Sequence, residues 1–100
     1  MTISATRRAH AEETAVAALQ FIAGDPELLQ RFLALTGIEA SDIRRAAAEP
    51  GFLAGVLQFI LAHEPTLLHF CDASGFKPAA VSEALRTLPL GDDGDHMRST

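Results

Sequence analysis

Apolar residues recur every three or four positions along most of the chain, which is the spacing of helices with one buried face. The alternation of apolar and polar residues that would indicate strands is almost absent. The pattern therefore predicts an all-α domain of about six short helices, packed as a compact orthogonal bundle. The predicted helices cover about residues 7–23, 26–36, 40–48, 50–62, 65–74 and 78–88.

Prolines and glycines mark where these helices begin and end. Asp25-Pro26, Glu49-Pro50 and Glu64-Pro65 each place a carboxylate at or beside a helix start and proline at the first helical position, where it loses no hydrogen bond. Gly37 and Gly75 each follow an apolar helix and precede an apolar residue, as is typical of a left-handed residue that ends a helix. The sequence thus predicts three helix starts and two helix ends.

Three helices have apolar faces that predict how they pack. The fourth is apolar on nearly every side, from Phe52 to Leu61, so we expect it to be the central helix. The faces of two others consist of Val16, Leu19, Ile22 and Ala23 in the first helix, and Val81, Ala84, Leu85 and Leu88 in the sixth. Three alanines of the first helix leave room for a close neighbour: Ala11, Ala15 and Ala18.

The two halves of the chain are similar in sequence. The run Leu19-Gln20-Phe21-Ile22 is identical to Leu57-Gln58-Phe59-Ile60, and matching prolines and glycines follow at an offset of 38 or 39 residues. The change of offset requires one insertion and one deletion near a helix start. We interpret the similarity as an internal duplication, with halves of about residues 7–48 and 50–88 in one domain over residues 1–90.

Composition and charge narrow the class of protein. A net charge of -5 argues against general attraction to nucleic-acid phosphates. The longest apolar run, residues 15–19, is too short to cross a membrane, and no export signal follows Arg7-Arg8. A single cysteine suits a reducing compartment, so we expect a cytoplasmic protein without membrane contact. The acidic residues 91–100 lack apolar spacing and are predicted to form a disordered tail.

No pattern of residues indicates catalysis. Four residues of types that bind metals lie close together in the sequence: His63, His69, Cys71 and Asp72. His69 and Cys71 point about 200° apart on a helix, and no second pair completes a set of four ligands. Cys71 is better explained as a small buried hydrophobic side chain. We therefore predict no enzyme activity, no metal and no cofactor.

The sequence resembles a known family in two runs. Residues 32–38, FLALTGI, followed by Asp42-Ile43-Arg44, and residues 50–57, PGFLAGVL, resemble a bacterial family of small all-helical proteins that is catalogued only as a domain of unknown function. The resemblance covers about residues 11–90. Its motifs are helix starts and turns, so it implies a cytoplasmic helical fold and carries over no catalytic residue.

These observations favour a small non-catalytic module for protein–protein interaction or regulation. The apolar residues expected at the surface are Phe76, Leu90 and the alanine-rich flank of the first helix. Each of them could contact a protein partner or close a homodimer interface.

The alternative is a nucleic-acid-associated accessory protein. The residues around Gly37 and Gly75 have the spacing of helix-turn-helix units. The first unit carries the one basic cluster of interest, Arg31, Arg44 and Arg45, whereas the second offers few donors for bases or phosphates. Binding to nucleic acid is therefore the less favoured interpretation.

Overall fold

The computed structural model describes residues 2–89 of the chain, and the side chains of residues 6–89. The helices are α1 (Thr2–Ala23), α2 (Pro26–Thr36), α3 (Ile43–Ala46), α4 (Phe52–Leu61), α5 (Glu64–Ser74) and α6 (Pro78–Thr87). One turn of 3-10 helix, Ala40–Asp42, leads into α3. No strand occurs between residues 2 and 89, which confirms the all-α class. The predicted tail, residues 91–100, lies outside the described residues.

The central position predicted for α4 is confirmed. The helix packs against α1, α5 and α6. Its buried residues are Phe52, Ala54, Val56, Leu57, Phe59 and Ile60. A helix with apolar side chains on most sides loses contact with water only when other helices surround it, which is why α4 takes this place. None of the helices within residues 2–89 is both long and apolar enough to cross a membrane.

The buried face of α1 is the alanine stripe; of the predicted face, Ile22 is buried and Leu19 packs against the core, whereas the prediction was wrong for Val16 and Ala23. Val16 is 43% exposed and Ala23 is exposed. From residue 6 onward, the residues that α1 buries are Ala11, Thr14, Ala15, Ala18 and Ile22. Alanines let α1 approach α4 and α6 closely, so the bulkier Val16 is left on the outside. The close approach predicted for this helix is consistent with that burial, and the apolar face predicted for α6 is confirmed.

Of the three helix starts predicted from an acidic residue followed by proline, only the start of α2 is found as predicted. At α2 the carboxylate of Asp25 accepts hydrogen bonds from the backbone N–H groups of Glu27 (3.0 Å) and Leu28 (3.3 Å), as predicted. The α4 helix begins at Phe52 rather than at residue 50, because Gly51 has a left-handed backbone, with φ of 89°, that cannot belong to a right-handed helix.

Several other helix boundaries shift, whereas both ends of α2, the ends of α1 and α5 and the start of α6 lie where the sequence predicts them. The α5 helix begins at Glu64, one residue before Pro65, and its N-cap is His63. The first helix begins at Thr2 instead of about residue 7, and the third is one turn of α-helix after its 3-10 turn, shorter than the predicted 40–48. The predicted boundaries differ most where few apolar residues at helical spacing mark the helix, as before residue 7.

Both predicted helix ends are confirmed. Gly37 and Gly75 are left-handed, with φ of 77° and 87°. Their N–H groups donate to the carbonyl groups of Leu33 (2.8 Å) and Cys71 (2.9 Å), which closes α2 and α5 in the same way.

A hydroxyl group ties down each of these two turns. Thr36 donates to the carbonyl of Phe32 (2.8 Å) and accepts from the N–H of Ile38 (3.3 Å). Ser74 donates to the carbonyl of Phe70 (2.7 Å) and accepts from the N–H of Phe76 (3.2 Å). The two turns therefore place Ile38 and Phe76 at equivalent points after their helices.

In the structure the two halves correspond at one constant offset over α2 and α5, whereas the sequence alignment uses two offsets. The α2 and α5 helices each contain 11 residues, and both their N-caps and their terminal glycines lie 38 residues apart. The predicted insertion and deletion are therefore not needed between those caps, and Pro26 and Pro65 differ by one helical position. The duplication itself stays a prediction.

Candidate functional site

Phe76 lies at the edge of the core instead of fully at the surface, which corrects its expected exposure. Its ring stacks on the ring of Phe70, with centroids 5.9 Å apart and planes inclined by 22°. Phe70 is completely buried, whereas Phe76 is half-buried. One side of the Phe76 ring is thus held by the core, and its other side is available to line a surface recess.

A shallow recess of about 470 Å³ runs beside Phe76 along α1. We call it the α1 groove. Besides Phe76 it is lined by Ala9, Glu12, Glu13, Val16, Ala17 and Gln20. These α1 residues are three or four positions apart, so they form one continuous face of the helix. This face lies away from the buried alanine stripe, and the predicted alanine-rich flank is therefore divided between the core and the groove.

The α1 groove combines apolar surface with negative charge. Val16, a large apolar side chain that lines it, is 43% exposed. Glu12 and Glu13 supply two exposed carboxylates, and no lysine, arginine or histidine is among the described residues that line it. The Glu13 carboxylate lies 3.8 Å from Nδ1 of His10, and both side chains are about three-quarters exposed, so this contact holds Glu13 only weakly.

A second recess, of about 250 Å³, lies between the first turns of α2 and α5. It includes Arg31, together with the carboxylates of Asp25 and Glu27 and the imidazoles of His63 and His69. Its ionisable groups are therefore of both signs, and the Asp25 carboxylate is already bound to two backbone N–H groups. This recess therefore favours neither an anionic nor a cationic ligand.

The metal-ligand types noted in the sequence do not gather at this recess as one set. Nδ1 of His63 lies 2.7 Å from the hydroxyl oxygen of buried Thr66, which fixes the imidazole ring. Cys71 is half-buried outside the recess lining, and burial raises the pKa of its thiol. Within the described part of the chain, no three His, Cys, Asp or Glu side chains are placed to hold a metal ion.

The predicted basic cluster is distributed between two recesses. Arg31 lines the recess between α2 and α5, whereas Arg45 lines another that includes Glu39 and Glu49. An Arg45 guanidinium nitrogen also lies 2.7 Å from a carboxylate oxygen of Asp42. Arg44 is exposed. Carboxylates therefore accompany two of the three arginines. The other predicted contact residue, Leu90, lies outside the described residues.

Sequence reasoning selected Phe76 but missed its neighbours in the groove. The helical pattern predicts Val16 to face the core, and nothing in the sequence connects Glu12 and Glu13 with Phe76. A signal was present in the sequence, because residues 9, 12, 13, 16, 17 and 20 have helical spacing. That signal could not show that this face lies beside a residue about 60 positions later in the chain.

Comparison with known proteins identifies the family of this chain. No curated protein and no solved structure matches the chain. Residues 8–91 match the family described as "Protein of unknown function (DUF3572)". The match includes all of α2 to α6 and most of α1. The resemblance expected from the sequence is confirmed, and the chain belongs to the DUF3572 family.

Proposed function

We propose that this protein is a non-catalytic interaction module, and that the α1 groove binds a segment of a protein partner. The observation that carries the proposal is the Phe76 ring, which is held by stacking on a fully buried ring and still lines an open recess beside the exposed Val16. A contact residue that is already held in place loses little conformational entropy on binding, so its contact area contributes more fully to affinity. Aromatic residues held in this way often dominate binding energy.

The chemistry of the groove supports binding over catalysis. Its ionisable groups are two exposed carboxylates, and exposed carboxylates in contact with water are weak general bases. The thiol of Cys71 lies outside the groove lining, and its raised pKa favours the protonated form, which is the poorer nucleophile. Apolar surface with a charged margin is the usual composition of a binding surface.

Site-specific photo-crosslinking tests the proposal. A photoreactive amino acid replaces Gln20 in the groove and, as a matched control, Leu35, which is 71% exposed on α2. The tagged protein is crosslinked in cells of its source organism, and the adducts are identified by mass spectrometry. We expect one protein to crosslink at position 20 and not at position 35, and Val16→Asp to abolish the adduct.

Val16→Asp is the preferred variant because Val16 is exposed, whereas Phe76→Asp would also disturb the stacking on Phe70. Circular dichroism checks that helicity is retained. The proposal is wrong if the same proteins crosslink at both positions and Val16→Asp does not affect them. The α1 groove would then not be the binding site. A crosslink to a second copy of the chain would keep the groove as an interface and assign it to a homodimer.

A further inference from the structure

We infer that the occupant of the α1 groove is an amphipathic helix of another protein that carries lysine or arginine beside its apolar residues. This inference rests on the proposed function, because it names the partner of the same groove. It is drawn from the length of the groove, the sizes of its side chains and its charge.

The groove has the length of a short helix. From Ala9 to Gln20 it follows eleven residue steps of α1, or about 16 Å at the rise of an α-helix. A partner helix of about three turns spans that distance. An extended partner strand would need an open sheet edge to receive its backbone hydrogen bonds, and residues 2–89 contain no strand. A helix satisfies its own backbone and can bind through side chains alone.

The side chains of the groove suit helix packing. Ala9 and Ala17 are small and lie on the same face of α1, two turns apart, so a partner helix can come close at both ends. Val16 and the Phe76 ring supply the larger apolar contacts. We therefore expect the partner to present bulky apolar residues spaced three or four positions apart, as in other helix-in-groove complexes.

The charge of the groove determines the polar residues of the partner. Glu12 and Glu13 lie between Ala9 and Val16, and the described lining residues include no cation to neutralise them. An acidic helix would be repelled, whereas lysine or arginine at the margin of the partner would be attracted. A second copy of this chain, net charge -5, would bring the same two carboxylates to the interface and is the less complementary occupant.

Selection from an unbiased peptide library tests the inference. A displayed library of random 14-residue peptides (about the length that three to four turns require) is selected against the full-length protein. Two-dimensional NMR then maps where the enriched peptides bind. We expect chemical-shift changes concentrated on α1 and at Phe76, and enriched peptides with lysine or arginine flanking apolar residues three or four positions apart.

Charge reversal provides the matched control. Glu12→Lys/Glu13→Lys should weaken the selected peptides about tenfold or more, because it replaces attraction by repulsion. Glu39→Lys/Glu49→Lys makes the same change in net charge at exposed carboxylates in a different recess and should change affinity less than about threefold. Circular dichroism of bound and free peptide reports whether helix forms on binding.

The outcomes separate the inference from the proposed function. If the peptides bind the α1 groove but lack basic residues, or are indifferent to Glu12→Lys/Glu13→Lys, the inference is overturned and the groove remains a docking surface. If no enriched peptide maps to the groove, both are overturned. Basic, helical peptides that bind the groove and lose affinity only with the groove variant support both.

Discussion

We consider three single glycine-to-alanine variants. Two of them should lower the stability of the protein, and the third should raise it. Gly37 and Gly75 have left-handed backbones, whereas Gly55 lies inside α4. A Cβ atom built on each of the three meets no neighbouring atom within 4 Å. The chemical change and the empty surroundings are thus the same at all three positions, and only the backbone conformation differs.

The magnitudes follow from that difference. A left-handed backbone costs an L-residue about 1–2 kcal/mol, and the loss of glycine's freedom in the unfolded chain offsets about 0.4–1 kcal/mol of it. Gly37→Ala and Gly75→Ala should therefore each lower the free energy of unfolding by about 1 kcal/mol. Gly55→Ala should raise it by about 0.5–1 kcal/mol, because alanine is the better helix former.

Thermal and urea unfolding followed by far-UV circular dichroism measure these changes. The two kinds of variant should differ by about 1.5–2 kcal/mol, which corresponds to about 6–16 °C in Tm for a domain of this size. The wild type should lie between them. A Gly55→Ala variant less stable than wild type, or a Gly37→Ala variant more stable, would refute the assignment of backbone conformation at that residue.

Three further predictions concern local features. Asp25→Ala should lower the free energy of unfolding by about 1 kcal/mol in urea, because the carboxylate caps α2; Asp25→Asn should recover most of that loss, and no recovery would contradict the capping role. Iodoacetamide should alkylate Cys71 more slowly in the native protein than in urea, since burial raises the pKa of its thiol; equal rates would show that the thiol is not protected. Fluorescence anisotropy should detect no salt-dependent binding of the protein to DNA, because Asp42 already pairs with Arg45. Salt-dependent binding that Arg44→Glu/Arg45→Glu abolishes would favour the nucleic-acid alternative.

The helix ends were easier to predict than the helix starts, for a physical reason. A glycine after an apolar helix and before an apolar residue has one favourable conformation, so Gly37 and Gly75 were readable from local sequence. In Glu49-Pro50-Gly51 two local preferences compete, because proline favours the first helical position and glycine favours a left-handed turn. The turn occurs, and α4 starts after Gly51. Local sequence does not contain the tertiary contacts that decide between them.

The candidate site was predictable only in part for a similar reason. Ala15 and Val16 are adjacent, and either could belong to a buried face of α1. Hydrophobicity favours burying valine, but contact with α4 and α6 favours the face with the smaller side chains. Phe76 stood out by its position after a glycine turn. Its neighbours in the groove depend on how α1 is rotated, which is a property of the whole bundle.

Three aromatic contacts connect the halves within residues 6–89, and one of them joins Phe32 to Phe52, with 6.1 Å between centroids. The ring of Phe21 in α1 packs edge-on against Phe70 in α5 (5.5 Å between centroids), and Phe32 in α2 packs against Phe59 in α4 (5.4 Å). Each half thus supplies rings that complete the core of the other. Unfolding should therefore be one cooperative event. A backbone cleaved within residues 47–51 should give two fragments that are unstructured alone and regain helicity together when mixed.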